Sequence, residues 1–445
     1  MPEPRLKRFV EDIFRETLNA VDPERLVREA LERRDTTIIV RGVPHRLEPR
    51  SRLVLLALGK AAAAMASGAV QVLGDRVDRC VVIPKSEDGK RAELARCTVI
   101  PGSHPLPDLR SLRAGHALLD AVRGLGPDDL VLVLLSGGAS ALAEVPRPPL
   151  TLEQVVTTTE RLLRAGADIW LLNAVRRHLS ALKGGGLARA AAPARIVNLV
   201  LSDVLGSPLP IIGSGPTVEP SDPGRALPVT LRQLGVWEEF PAAVQRLLAQ
   251  PDEGSIRLPH VLQSVVLADA RVLVRAAVEA LRRRDLPAVP FGSRYTGEAR
   301  EFGRFWATLA WTIREEHVPW KPPVALVGAG ELTVTVRGRG RGGRNTEMAL
   351  AAALVLSQTR DVTVASLASD GDDGTSGAAG AVVDGTTAEA VQQSGIDPQE
   401  ALAQNDSATA LASASALVVT GLTGTNVNDL YLALVDGRAG VTGLA

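Results

Sequence analysis

Three carboxylates crowd the stretch ASDGDDGTSGAAG at 368–380, where Asp370, Asp372 and Asp373 follow the apolar run DVTVASLAS and alternate with glycines. Acidic groups this close repel one another unless water or a cation bridges them. A calcium loop of the EF-hand kind needs glycine at its sixth position and glutamate at its twelfth. Counted from Asp370, the fifth position is Gly374 and the twelfth is not acidic, which excludes that reading. A turn suited to hydrated Mg²⁺ or to a substrate hydroxyl remains. Just upstream, GAGELTVTVRGRGRGGRNTEMAL places Arg337, Arg339, Arg341 and Arg344 in one glycine-rich loop. The guanidinium fork matches carboxylate and phosphate oxygens. A single copy wedged between apolar segments is unlike a disordered RNA-binding tail.

The first half of the chain repeats another arrangement, a buried strand running into a glycine turn. DLVLVLLSGGASAL sets Ser136, Gly137, Gly138 and Ser140 at such a turn, where bare backbone and hydroxyls can cradle an anion. LLALGKAAAAM sets Lys60 after Gly59, and HLSALKGGGLA sets Lys183 before Gly184, Gly185 and Gly186. NLVLSDVLGSPLPIIGSGPTV supplies Asp203 at a strand end, then Ser214 and Gly215, while PGSHPLPD holds His104 among prolines. Each has a plainer alternative: a tight turn, a snorkelling lysine, a capping aspartate, a hydrogen-bonded histidine. VVTGLTGTNVNDLYLAL adds a last polar loop with Asn426 and Asp429. A cation beside arginines and glycine nests describes phosphoryl transfer, which depends on positioning and charge neutralisation.

The elements that must position these residues are legible as runs. RLVLLALG, CVVIP, DLVLVLLS and ARIVNLVLSD alternate with helical periods, the pattern of a mainly parallel sheet covered on both faces. A second series begins near residue 255 with SVVLAD and continues through PPVALVGAG, the alternating ELTVTVRG, a helix from about Asn345, and DVTVASLASD. The expected fold is therefore α/β in two domains: an N-terminal Rossmann-like domain, 1–250, with a mainly parallel sheet flanked by helices, and a C-terminal α/β domain, 251–445, with a mixed sheet. PSDPG and PDEGS mark the boundary region.

A chain of 445 residues with 45% apolar and 22% charged residues has the balance of a soluble globular protein. Fifty basic residues balance fifty acidic ones, so the electrostatic footprint of a nucleic-acid binder is missing. No apolar run approaches the ~20 residues that span a bilayer, and MPEPRLKRFVEDIFRETL reads as a charged amphipathic helix rather than a signal peptide. A cytoplasmic location is expected, with small-molecule partners and neither nucleic acid nor membrane. Cys80 and Cys97 lack metal-ligand spacing and are expected as packed thiols rather than a disulfide framework.

Together LGKAA, GSHPLPD, LSGGASAL, LKGGGLA, LSDV with GSGPT, GAGE with GRGGRNTE, SDGDDG with AAGA, and TGTNVNDL resemble the glycerate 2-kinase family, whose C-terminal part is the MOFRL domain, here about 320–435. The resemblance implies transfer of the ATP γ-phosphoryl group to the 2-hydroxyl of D-glycerate, with Mg²⁺. It makes Lys60 and Arg344 the central cations, aimed at the transferring phosphate and the glycerate carboxylate, and Ser136–Ser140 and Gly184–Gly186 the nests for phosphate or substrate oxygens. Asp203, Glu331, Asp370 and Asp373 are then candidates for Mg²⁺ or for taking the hydroxyl proton, and Asn345, Glu347, Asn426 and Asp429 shape the nucleotide side. A homodimer is the assembly expected. The motif usually written GGRNQE reads GGRNTE here, with Thr346 in place of an amide. The rival is a hydroxypyruvate reductase, a name some relatives carry; against it, the first βαβ unit lacks G-x-G-x-x-G. A noncatalytic sugar-acid sensor would leave the acidic and arginine loops without a use.

Overall fold

The structure is a computed structural model that describes residues 2–85, 94–219, 227–250 and 257–437. The chain divides into two compact units, Pro23–Leu267 and a discontinuous one made of Met1–Asp22 with Ala268–Ala445. This corrects the expected boundary at 250. SVVLAD belongs to the last strand of the first unit's sheet, and the first 22 residues belong to the second unit. The PSDPG and PDEGS stretches lie outside the described residues.

The first unit opens with an antiparallel meander, β1 (Leu31–Arg34), β2 (Thr37–Val40) and β3 (Val43–Arg46), which the sequence reading did not foresee. Its main sheet holds β4 (Leu53–Leu58), β5 (Arg79–Ile83), β6 (Thr98–Val99), β7 (Leu130–Leu135), β8 (Arg195–Leu201) and β9 (Val261–Ala268), in the order β6-β5-β4-β7-β8-β9. The pairs among β4 to β8 are parallel. β4 and β7 are buried along their whole length, which explains their unbroken apolar sequence. From β4 the chain winds outward one way and then returns to wind the other, so the order reverses between β4 and β7. That reversal is where ligands bind in open α/β sheets, beyond the carboxyl ends of the strands. The register that sets Val81 opposite Thr98 also sets Cys80 opposite Cys97, with Cα atoms 4.7 Å apart. The two are joined as a disulfide, correcting the expectation of separate thiols.

The second unit carries β10 (Ala288–Tyr295), β11 (Val324–Gly330), β12 (Val362–Ala368), β13 (Gly380–Asp384), β14 (Leu417–Val418) and β15 (Asp429–Val435), ordered β10-β11-β15-β12-β13-β14. Only β10 and β11 run parallel, so the sheet is mixed as expected. ELTVTVRG is not the source of the mixing. Apart from a bridge between Thr333 and Glu298 it forms no ladder: the amides of Glu331 and Thr333 donate to the carbonyls of Tyr295 (2.9 Å) and Gly297 (2.8 Å), and beyond them side chains take the amides. Glu298 accepts from the Thr335 amide and hydroxyl, each at 3.0 Å, and Asn405 Oδ1 accepts from the amides of Arg337 (2.7 Å) and Gly338 (3.0 Å).

Helix Arg344–Val355, rich in alanine, is buried on nearly all sides and forms the centre of this unit's core, as an all-round apolar helix must. Helix Pro4–Ala20 starts with proline in its first turn and buries Val10, Ile13, Phe14 and Thr17, the spacing of one helical face. Glu16 on the same helix pairs with Arg283 and Arg284, and the carbonyl of Val21 accepts from Thr425 Oγ1 at 3.0 Å. These contacts explain why the N-terminus belongs to the second unit. Among the described residues no helix is long and apolar enough to cross a membrane.

Candidate functional site

In the first unit the chemistry gathers at the switch point. The Lys60 amide donates to the Gly137 carbonyl at 2.9 Å, and the Ala61 amide to Ser136 Oγ at 3.0 Å, lacing the β4 turn to the β7 turn. Ser136 is fully buried and serves as this tie rather than as a ligand contact. Gly137 and Gly138 leave room that no side chain could share. A Cβ on Gly137 would stand 1.8 Å from Asp203 Oδ2; on Gly138, which has φ +83°, it would stand 3.2 Å from Lys60 Cγ and 3.3 Å from His104 Cδ2. Bare backbone, Lys60, His104 and Asp203 therefore converge on one spot. Ser140 is partly exposed and its hydroxyl lies 2.9 Å from that of Ser214, which donates to Asn173 Oδ1 at 2.5 Å.

Other expected contacts in this unit are internal. Lys183, 3% exposed, is ion-paired with Glu144, 1% exposed, so it is not a solvent-facing phosphate ligand. Burial lowers the ammonium's pKa and the Glu144 carboxylate beside it opposes that shift. The amides of Gly184, Gly185 and Gly186 donate to the carbonyls of Ser214 (2.9 Å), Gly215 (2.7 Å) and Lys183 (3.0 Å). All three donors are spent, so the expected nest is a packed turn. Gly215, whose carbonyl takes one of these bonds, belongs to the same turn.

In the second unit the end of β11, the end of β12 and the start of β15 meet. The register pairs Asp429 with both Gly330 and Ala368, which centres its carboxylate between them. Asp429 is 1% exposed and takes a bidentate grip on Arg344, from Nε at 2.5 Å and Nη2 at 3.0 Å. Arg344 Nη1 reaches Glu331 Oε1 at 3.2 Å, and Asn428 Nδ2 reaches Glu331 Oε2 at 3.4 Å. Burial alone would lower the guanidinium's pKa, but Asp429 and Glu331 hold it well above its ordinary value, so Arg344 is a permanent cation. The expected role of Asp429 on the nucleotide side is corrected accordingly: its oxygens serve Arg344. Asp370 is partly exposed after β12, its Oδ1 accepting from the Asp372 amide at 3.1 Å. Its carbonyl accepts from the Thr423 amide at 3.2 Å, tying the acidic turn to the loop that carries Asn426, itself nearly buried.

Asp373 is not available to a metal. Its Oδ1 accepts from the Asn345 amide (2.8 Å) and Nδ2 (3.3 Å), its Oδ2 from the Thr346 amide and hydroxyl, both at 2.9 Å. Four donors fill the carboxylate, which closes the N-terminus of helix Arg344–Val355 from outside the helix. Thr346, the departure from the usual amide, supplies two of them, one from its backbone and one from its side chain. Asn345 is fully buried and also receives Ser366 Oγ at 2.6 Å. Glu347 is buried between Arg300 Nε (2.8 Å) and Asn405 Nδ2 (2.9 Å). Both hold the helix and the arginine loop in place instead of facing a nucleotide. A cavity of about 390 Å³ lies under that loop, lined by Leu332, Val334, Gly340, Gly343, Arg344 and Thr375 among others.

Sequence reasoning missed Glu144, Asn173 and Arg176. Asn173 and Arg176 do stand three apart on helix Ile169–Leu179, which puts them on one face and was a readable signal. The Lys183–Glu144 pair spans 39 residues, and no local pattern marks it.

Comparison with known proteins extends over nearly the whole chain. Residues 9–249 match a family described as "Domain of unknown function (DUF4147)", and residues 324–429 match the MOFRL family. The chain is 36% identical over 433 residues to the D-glycerate 2-kinase of Thermotoga maritima, covering 97% of this chain and 98% of that one. It is 38% identical over 408 residues to an Agrobacterium vitis protein provisionally named a hydroxypyruvate reductase, covering 89% of this chain and 90% of that one. A crystal structure of glycerate kinase from Thermotoga maritima superimposes with TM-score 0.84 at 35% identity, covering 97% of this chain and 99% of that one.

Proposed function

The chain belongs to the glycerate kinase family that carries the MOFRL domain, and from that premise we propose that it transfers the γ-phosphoryl group of ATP to the 2-hydroxyl of D-glycerate. The observation that supports it most is the near-full-length likeness to a glycerate 2-kinase, with Lys60, Gly137, Gly138 and Asp203 gathered at the sheet's switch point. In the proposed step the 2-hydroxyl oxygen bonds to the γ-phosphorus, the bond from that phosphorus to the β–γ bridging oxygen breaks, and ADP leaves with the electron pair. Asp203 takes the hydroxyl proton. Lys60 offsets the charge on the transferring group, and the bare edge at Gly137–Gly138 admits its oxygens; in the second unit Arg344 is the cation that the family resemblance assigns to the reaction.

Mg²⁺ fits this chemistry. It commonly uses one or two carboxylates with substrate phosphates and water rather than a protein cage. Among the described residues no cluster of three acidic, histidine or cysteine side chains forms such a cage. With Asp373 engaged by helix amides, Asp370 and the exposed Asp372 are the carboxylates of the acidic turn left, and we assign the ion to Asp370. When bound, the metal would neutralise phosphate charge. We place the enzyme in the cytoplasm as a homodimer, to be checked by fractionation and by sedimentation.

The test is ADP formation on adding D-glycerate to ATP and Mg²⁺, run beside NADH and NADPH oxidation by hydroxypyruvate. The relative from Agrobacterium vitis motivates the second arm. Glycerate-dependent ADP supports the kinase; nicotinamide oxidation without it overturns the proposal in favour of the reductase.

A further inference from the structure

Helix Ile169–Leu179 presents Asn173 and Arg176 on one face. Asn173 is joined through Ser214 to Ser140, the hydroxyl at the mouth of the β7 turn. Lys183 and Glu144 form their buried ion pair in the same neighbourhood, and both act electrostatically with Arg176. The three charges sum to one net positive. Glu144 is already engaged by Lys183, and among the described residues Arg176 has no hydrogen bond or ion pair of its own. The side chain is only partly exposed, and burial lowers the guanidinium's pKa while Glu144 opposes that. A half-buried guanidinium whose neighbouring carboxylate is already engaged by another cation is incompletely compensated, and in binding sites an anionic ligand offsets that cost.

Resting on the glycerate kinase reading, we propose that Arg176 binds the carboxylate of glycerate, with the Ser140–Ser214–Asn173 chain beside it to meet the substrate's hydroxyl groups. A single carboxylate matches the single net charge of the cluster. Arg176 offers the planar fork that a carboxylate accepts in bidentate fashion. The arrangement makes Arg176 a specificity residue: it favours a hydroxy acid over an uncharged polyol of the same length. The reacting 2-hydroxyl lies one carbon from that carboxylate, so the anchor would also hold the nucleophile still.

The experiment compares wild type, Arg176→Gln and Arg176→Lys in steady-state kinetics with D-glycerate and ATP varied in turn, and with glycerol as the uncharged substrate. Arg176→Gln should raise KM for glycerate about 10- to 100-fold, the weight of one charge-assisted contact, and leave KM for ATP within a factor of two or so. Arg176→Lys should fall between, because it keeps the charge and loses the fork. The preference for glycerate over glycerol should narrow in step. An unchanged KM for glycerate in a folded variant overturns the inference while leaving the kinase standing. A rise confined to KM for ATP also overturns it and gives Arg176 to the phosphates. Should Arg176→Gln fail to fold, Arg176→Lys decides alone, since an unaltered KM in that variant contradicts bidentate binding. A wild type with no glycerate-dependent activity fails the kinase reading instead.

Discussion

Replacing Asp429 by asparagine removes a full charge from a site where both oxygens serve Arg344 and only 1% of the side chain meets solvent. Breaking one side of a buried ion pair costs about 3–5 kcal/mol. Arg344 is 30% exposed and retains Glu331 at 3.2 Å, so the cost falls at or just below that range, about 2–3 kcal/mol. Glu331→Gln gives the internal comparison. Its side chain is 47% exposed, and exposed pairs contribute at most about 1 kcal/mol. The kinetic effect follows from geometry. Asp429 fixes the direction of the guanidinium, and misplacing a charge-stabilising group by an ångström costs about 100-fold in rate. Asp429→Asn should therefore lower kcat about 100-fold. In an Arg344→Ala background the same change should lower it no further, because the two residues act as one unit. Urea denaturation and steady-state kinetics of the wild type, the three single variants and the double variant read both quantities. Wild-type kcat in folded Asp429→Asn, or additive losses in the double variant, would refute the reasoning.

Further outcomes follow from the same contacts. Lys60→Ala should lower kcat by about 100-fold or more in a folded protein; an unchanged kcat removes Lys60 from the mechanism. Asp373→Ala strands the amides of Asn345 and Thr346 in the core and should destabilise the protein by about 2–5 kcal/mol in urea, whereas a loss confined to Mg²⁺ dependence would restore Asp373 as a ligand. Lys183→Met should destabilise by about 3–5 kcal/mol through the orphaned Glu144, and adding Glu144→Leu should recover much of that loss; equal stability of the single and double variants contradicts a buried pair.

Strands buried on both faces were legible because nothing but a continuous apolar run suits them: β4, β7, β8, β11 and β12 all follow their runs. The grouping of Lys60 with Ser136–Ser140 was legible too, since a doubly wound sheet brings successive strand ends together at one point. What escaped was register and partnership. Whether Cys80 meets Cys97 depends on the alignment of β5 with β6, and spacing alone does not encode it. The carboxylate of Asp373 looks like a metal ligand until the helix that needs it is placed 27 residues away. Lys183 beside three glycines looks like a phosphate site until Glu144 appears against it. ELTVTVRG alternates as a strand should, yet after Thr333 its amides go to the side chains of Glu298 and Asn405 rather than to a neighbouring strand.

The most direct test is the position of the transferred phosphate. Purified protein with D-glycerate, ATP and Mg²⁺ is coupled to enolase in the absence of phosphoglycerate mutase. Enolase accepts 2-phosphoglycerate alone, so formation of phosphoenolpyruvate is the predicted result. ADP accumulating without phosphoenolpyruvate would place the phosphate elsewhere, and no glycerate-dependent ADP at all would contradict the kinase itself.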